Sequence, residues 1–116
     1  MRTSGVSTGL TVVPVSGSFM KTLYEWDEAK AAANLAKHGV SFDDAADALD
    51  DPWKVERFDD RFDYGEERMR TICMVSDGTV LYVVTVMRGH ACRIITARKA
   101  NRREQQSYFQ NRPPHA

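Results

Sequence analysis

The sequence predicts an α+β domain, an antiparallel β-meander with two short helices before it and one after. Three observations carry this reading. Two capped, amphipathic helical stretches lie between Asp27 and Asp51. Three β-rich runs then follow one another across short glycine turns, and a third capped helical stretch precedes Pro113-Pro114. The order β-α-α-β-β-β-β-α places the helices on one side of an antiparallel sheet.

Met1–Ser18 is rich in Ser, Thr, Gly and Val, with Arg2 its one charge. Pro14 interrupts the short apolar run Leu10–Val15, which argues against a signal peptide. Residues 1–19 are expected to be a disordered leader, or to precede a true start at Met20. Residues 20–112 are expected to form the domain and residues 113–116 a tail.

Leu23–Trp26 is strand-like. Asp27 offers an N-cap, and Glu28–His38 reads as helix with Gly39 as its left-handed stop. Ser41 caps a second helix, in which Phe42, Ala45, Ala46 and Leu49 form one apolar stripe. Asp51-Pro52 ends it, because a residue before proline leaves the α region. The acidic row Asp43–Asp51 reads as a solvated helix face.

Trp53–Phe58 alternates as a strand does, and Asp59–Gly65 is a polar loop. Arg68–Ser76, Thr79–Arg88 and Cys92–Arg98 are the meander, turning at Asp77-Gly78 and Gly89-His90. Val80–Met87 is apolar at nearly every position, as in a strand covered on both faces. Asn101 with Glu104 forms a capping pattern for a helix over Arg102–Gln110. That helix has few apolar positions, so Tyr108 and Phe109 are expected to be exposed and suited to completion by another chain. Trp26 and Trp53 are assigned to the core, and Cys73 and Cys92 are read as small buried hydrophobes of a reducing compartment.

The chain is 116 residues with 16 basic and 16 acidic side chains. This length fits one domain, and no run of roughly 18 apolar residues exists to cross a membrane. The neutral total conceals an asymmetry: Met1–Glu67 holds 7 basic and 14 acidic residues, Arg68–Ala116 holds 9 and 2. Such a layout implies a polyanion-binding face, an acidic partner, or mutual neutralisation inside one fold.

The strings YEWDEAKAAANLAKHGVSFDDAADAL, YGEERMRTI and RIITARKANRREQQSY resemble the BrnT toxins from about Lys21 to Tyr108. The chain departs from the family pattern at Met69, often an aromatic, at Cys73, often glycine, and at Asn101, often threonine. The resemblance implies a RelE-like fold and a cytoplasmic bacterial endoribonuclease. Such an enzyme cleaves messenger RNA without metal or cofactor and so halts translation. It also implies a ribbon-helix-helix antitoxin of the BrnA type, a toxin–antitoxin heterotetramer, and operator DNA reached only through the antitoxin. The rival expectation is an inactive homologue that serves only as an antitoxin-binding co-repressor.

Metal-free cleavage needs positive charge on the phosphorane oxygens, a base for the 2′-hydroxyl and a proton for the leaving oxygen. Arg98, closing the last strand, is the first candidate, followed by Lys99, Arg102 and Arg103 at the helix start. For Arg102 and Arg103 a solvated surface is an equal reading. His38 has a titration range that suits an acid or base, with Lys37 beside it; a helix C-terminal cation is the other role open to it. Glu67 and Arg68 are candidates for base and phosphate clamp, or for a cross-strand ion pair. Arg88 has the same two readings. Tyr108 is a candidate for base stacking or proton donation, or an anchor to the sheet.

Overall fold

A computed structural model describes residues 10–14, as backbone, together with residues 23–59 and 67–114. The loop after Asp59, residues 1–9 and 15–19 of the leader, residues 20–22 at the expected domain start and the last two tail residues lie outside the described residues. The described elements are β1 (Leu10–Pro14), β2 (Leu23–Asp27), α1 (Glu28–His38), α2 (Phe42–Leu49) and β3 (Val55–Asp59), then β4 (Arg68–Met74), β5 (Val80–Arg88), β6 (Ala91–Lys99) and α3 (Arg102–Asn111). They form a six-stranded sheet in the order β1-β2-β6-β5-β4-β3.

The helices start and stop where short polar side chains satisfy end groups. Asp27 accepts the amides of Ala29 at 2.8 Å and Lys30 at 3.4 Å. Gly39, at φ 71°, donates to the Leu35 carbonyl and takes a conformation that costs other residues about 1–2 kcal/mol. Ser41 accepts the Asp44 amide, and Asn101 exchanges a full capping box with Glu104.

The sheet is mixed, which corrects the wholly antiparallel expectation. Strands β3 to β6 pair antiparallel in sequence, but β2 lies parallel to β6 with Leu23 opposite Ala91 and Glu25 opposite Arg93. β1 pairs antiparallel with β2, so residues 10–14, read as part of a disordered leader, form an edge strand. In the β5–β6 pair, Val84 opposes Thr96 and Thr85 opposes Ile94, which leaves Ile95 as a bulge.

Side chains alternate along each strand, so the two faces differ. One carries Tyr24, Trp26, Cys73, Leu81, Val83, Ile94 and Ala97 against Val40, Phe42, Ala45, Ala48 and Leu49 from the α1–α2 layer. Trp26 meets Phe42 edge to face at 6.0 Å. The other face carries Ile72, Met74 and Val80 against Ala100 and Tyr108 of the α3 segment. α3 therefore covers one end of the opposite face, and the expectation of helices on one side is corrected.

Three further expectations change. Trp53 is 36% exposed and stands outside the core. Tyr108 is fully buried, and its hydroxyl donates to Asp51 Oδ2 at 2.6 Å, so α3 is fastened to its own domain. The acidic row is only partly solvated: Asp51 also accepts the amides of Trp53 and Met74, and Asp47 accepts that of Ser76.

Candidate functional site

The part of the sheet that α3 leaves open is floored by Tyr82, Val84 and Val86 of β5 and flanked by arginines. Arg68 and Arg70 come from β4, where they oppose Val86 and Val84. Arg93 and Arg98 come from β6, where they oppose Val86 and Tyr82. Sequence reasoning named Arg68 and Arg98 but missed Arg70 and Arg93. The available signal was arginine alternating with apolar residues mid-strand, which puts cations in register on one face.

Arg98 is held firmly. Its two terminal nitrogens each donate to one Glu104 oxygen at 2.8 Å, and its guanidinium carbon lies 4.0 Å from the Tyr82 ring centroid. Burial pulls the Glu104 carboxyl upward, but the Arg98 hydrogen bonds, the Asn101 amide and the charges of Arg98 and Arg70 outweigh it. The carboxyl is thereby held below its ordinary range.

Arg70 and Arg93 are less satisfied. The Nε atoms of both are buried without a hydrogen-bond partner. Arg70 also stands directly opposite Arg57 on β3, a like-charge pairing that costs stability. Arg93 meets Glu25 at 3.8 Å, beyond hydrogen-bond length. A buried N–H without a partner costs about 1–3 kcal/mol. Cations gathered at such cost on an open face suit a multivalent anion, whose oxygens would satisfy them together.

The remaining candidates are dispersed. Arg88 ends β5 on this side, exposed and two residues past Val86. Lys99, Arg102 and Arg103 are exposed where β6 gives way to α3. His38 and Lys37 close α1, which packs on the far side of the sheet, so neither is brought to the arginines. Glu67 is exposed at the start of β4 and lines a groove of about 260 Å³ with Phe58, Met69 and Met87. It does not join Arg68 across the face. Tyr108, being buried, presents no ring for a base to stack on. Among the described residues no three His, Cys, Asp or Glu side chains gather as a metal site. Burial pushes the Cys73 thiol up to about 12, which leaves it unreactive at neutral pH.

One residue in the middle of α1 was overlooked as structure. Asn34 is buried and uses every hydrogen-bonding group of its amide: Nδ2 donates to the carbonyls of Val40 at 3.0 Å and Ala97 at 2.8 Å. Its Oδ1 accepts from the Ala97 amide and the Thr96 hydroxyl. It pins α1 to β6 immediately after the bulge, and so fixes the strand that carries Arg93 and Arg98.

A family model for the ribonuclease toxin BrnT of type II toxin–antitoxin systems matches residues 26–104. The chain belongs to the BrnT family. That match runs from Trp26 of β2 to the Glu104 that grips Arg98. A crystal structure of the Brucella abortus ribonuclease toxin BrnT, solved at 1.1 Å, is similar at 25% sequence identity with a TM-score of 0.49. The similarity covers 66% of this chain and 94% of that one. No curated protein matches the chain significantly. Membership of the BrnT family makes this a ribonuclease toxin of a type II system, which implies a protein antitoxin as partner. No helix among the described residues is long and apolar enough to cross a membrane.

Proposed function

We propose that this BrnT-family protein is a RelE-like, metal-independent endoribonuclease that cleaves messenger RNA on the arginine face, halts translation in the bacterial cytoplasm, and is neutralised by a BrnA-like ribbon-helix-helix antitoxin in a heterotetramer. The observation that supports this most is the convergence of Arg68, Arg70, Arg93 and Arg98 on one open sheet face, with the Nε atoms of Arg70 and Arg93 buried and unbonded.

The reaction is transesterification. The 2′-oxygen attacks the adjacent phosphorus, and charge gathers on the non-bridging oxygens of the phosphorane. Guanidinium groups fixed on a rigid sheet stabilise that charge without reorganising. Arg70 and Arg93 are the clamp. Arg98, its fork occupied by Glu104, serves as a charged wall over Tyr82, and Arg68 and Arg88 extend the positive field. Lys99, Arg102 and Arg103 hold the flanking RNA backbone at the start of α3, where helix amides also attract phosphate.

The test is direct. Protein freed of any partner is incubated with RNA in excess chelator, and fragment ends are analysed. The expected products carry 2′,3′-cyclic phosphate and 5′-hydroxyl ends, and Arg70→Ala or Arg93→Ala slows their formation by ~100-fold. Intact RNA after incubation with well-folded wild type would count against the proposal.

A further inference from the structure

We propose that Glu25 is the general base of this reaction, accepting the 2′-hydroxyl proton while Arg93 holds the scissile phosphate beside it. The inference rests on the ribonuclease reading above and adds the proton acceptor that His38 and Glu67 do not supply on that face.

Glu25 lies mid-strand in β2 between Tyr24 and Trp26, which both enter the core. Alternation therefore sends Glu25 to the arginine face, in register with Arg93. It is only 7% exposed. A carboxylate that buried is costly unless it is paired and hydrogen-bonded, yet its ion pair with Arg93 stands at 3.8 Å. The contrast on the same face is Arg98–Glu104, closed at 2.8 Å on both forks. Arg98–Glu104 is a finished structural pair. Glu25–Arg93 is an open one, with a carboxylate on one side and a guanidinium whose Nε is buried and unbonded on the other.

An open pair of this kind accommodates a donor and an acceptor at once. A hydroxyl donates to the carboxylate, and a phosphate oxygen accepts from the guanidinium. Adjacent hydroxyl and phosphate are what a ribose 2′-OH and its 3′-phosphate present, and deoxyribose lacks the first. The pair thus fits RNA and gives no purchase on the reactive position of DNA.

The step balances. The Glu25 carboxylate takes the proton from the 2′-hydroxyl, the 2′-oxygen forms its bond to phosphorus, and the phosphorus–5′-oxygen bond breaks. The leaving oxygen takes a proton from water, and Glu25 returns its proton to solvent. Of the elements against β2, β6 presents Arg93 to Glu25, while the Cys92 thiol lies opposite Tyr24 and packs on the core side of the sheet. β1 presents no titratable residue, and the charged groups of α1 lie across the sheet.

The experiment measures single-turnover cleavage against pH, and affinity for a DNA strand carrying one ribonucleotide and for its all-deoxy analogue. Glu25→Gln should lower the cleavage rate ~100-fold or more, change affinity for the all-deoxy analogue less than two-fold, and abolish the acid limb of the pH–rate profile. Arg93→Ala should weaken affinity and rate together. A Glu25→Gln variant that cleaves at the wild-type rate overturns the assignment and leaves the ribonuclease reading standing. A wild-type protein that binds RNA but never cleaves it overturns both. If Glu25→Gln fails to fold, Glu25→Asp decides: a slower rate that keeps the acid limb supports the base, and loss of that limb overturns it.

Discussion

Glu104 grips both terminal nitrogens of Arg98 at 2.8 Å while the same carboxylate accepts the Asn101 amide at 2.9 Å. One side chain therefore sets the start of α3 and the aim of an arginine on the sheet. The cap belongs to helix stability and the fork to the site, so the two cannot vary independently.

Glu104→Gln is expected to destabilise the protein by ~1 kcal/mol, through a weaker fork and cap. The acid response gives the sharper readout. The folded carboxyl lies below the ordinary glutamate value. Its stabilisation is thus present above the unfolded value of about 4.3 and is lost as pH falls through the folded one. Thermal melts between pH 7 and pH 3 should show wild type losing more stability than Glu104→Gln across the acid end of that range.

Asn34→Ala should cost ~3 kcal/mol or more, because the carbonyls of Val40 and Ala97 and the Ala97 amide lose buried partners together. Asn34→Asp should do no better, since it turns two donors into an acceptor facing two carbonyls. Urea unfolding followed by circular dichroism measures both.

Tyr108→Phe removes the bond to Asp51 and should cost ~1 kcal/mol while leaving RNA affinity unchanged. Tyr108→Ala opens a cavity in a fully buried site and should cost ~3–5 kcal/mol. Unchanged stability with weakened RNA binding in the Phe variant would restore Tyr108 as a contact residue. The phenol is pushed up to about 12, by burial first and then by the Asp51 hydrogen bond. Its contribution is therefore complete below about pH 10 and is lost as pH rises through 12.

Arg70→Ala and Arg93→Ala should each lower the salt dependence of RNA binding by about one phosphate's worth, a slope change of ~0.7 on single strands. Arg102→Ala and Arg103→Ala, exposed at the start of α3, should change it less. Titrations at four salt concentrations separate the two groups.

The elements were legible where chemistry is local. Asp27, Ser41, Asn101 with Glu104, and Gly39 mark helix ends with groups that act within four residues, and each does so in the structure. The pairing of β2 with β6 was not legible, because Leu23 and Ala91 meet through the whole intervening chain and nothing in either run names its partner. Tyr108 misled for the same reason: its anchor, Asp51, lies on the other side of the meander in sequence. Of the site, Arg68 and Arg98 stood out at strand ends. Arg70, Arg93 and Glu25 were hidden inside strands read mainly for their apolar residues, although their parity placed them on one face.

The two layers give the molecule a polarity its total charge conceals. On the α1–α2 side the exposed carboxylates of Glu28, Asp43, Asp44, Asp47 and Asp50 outnumber the exposed Lys30 and Lys37, and the arginines lie across the thickness of the sheet from them. The protein is a neutral plate with one positive and one negative side. A polyanion nearby exerts little net pull on it but turns it, so that encounters begin with the arginine side forward. Orientation, rather than attraction, is what the separation of charge provides.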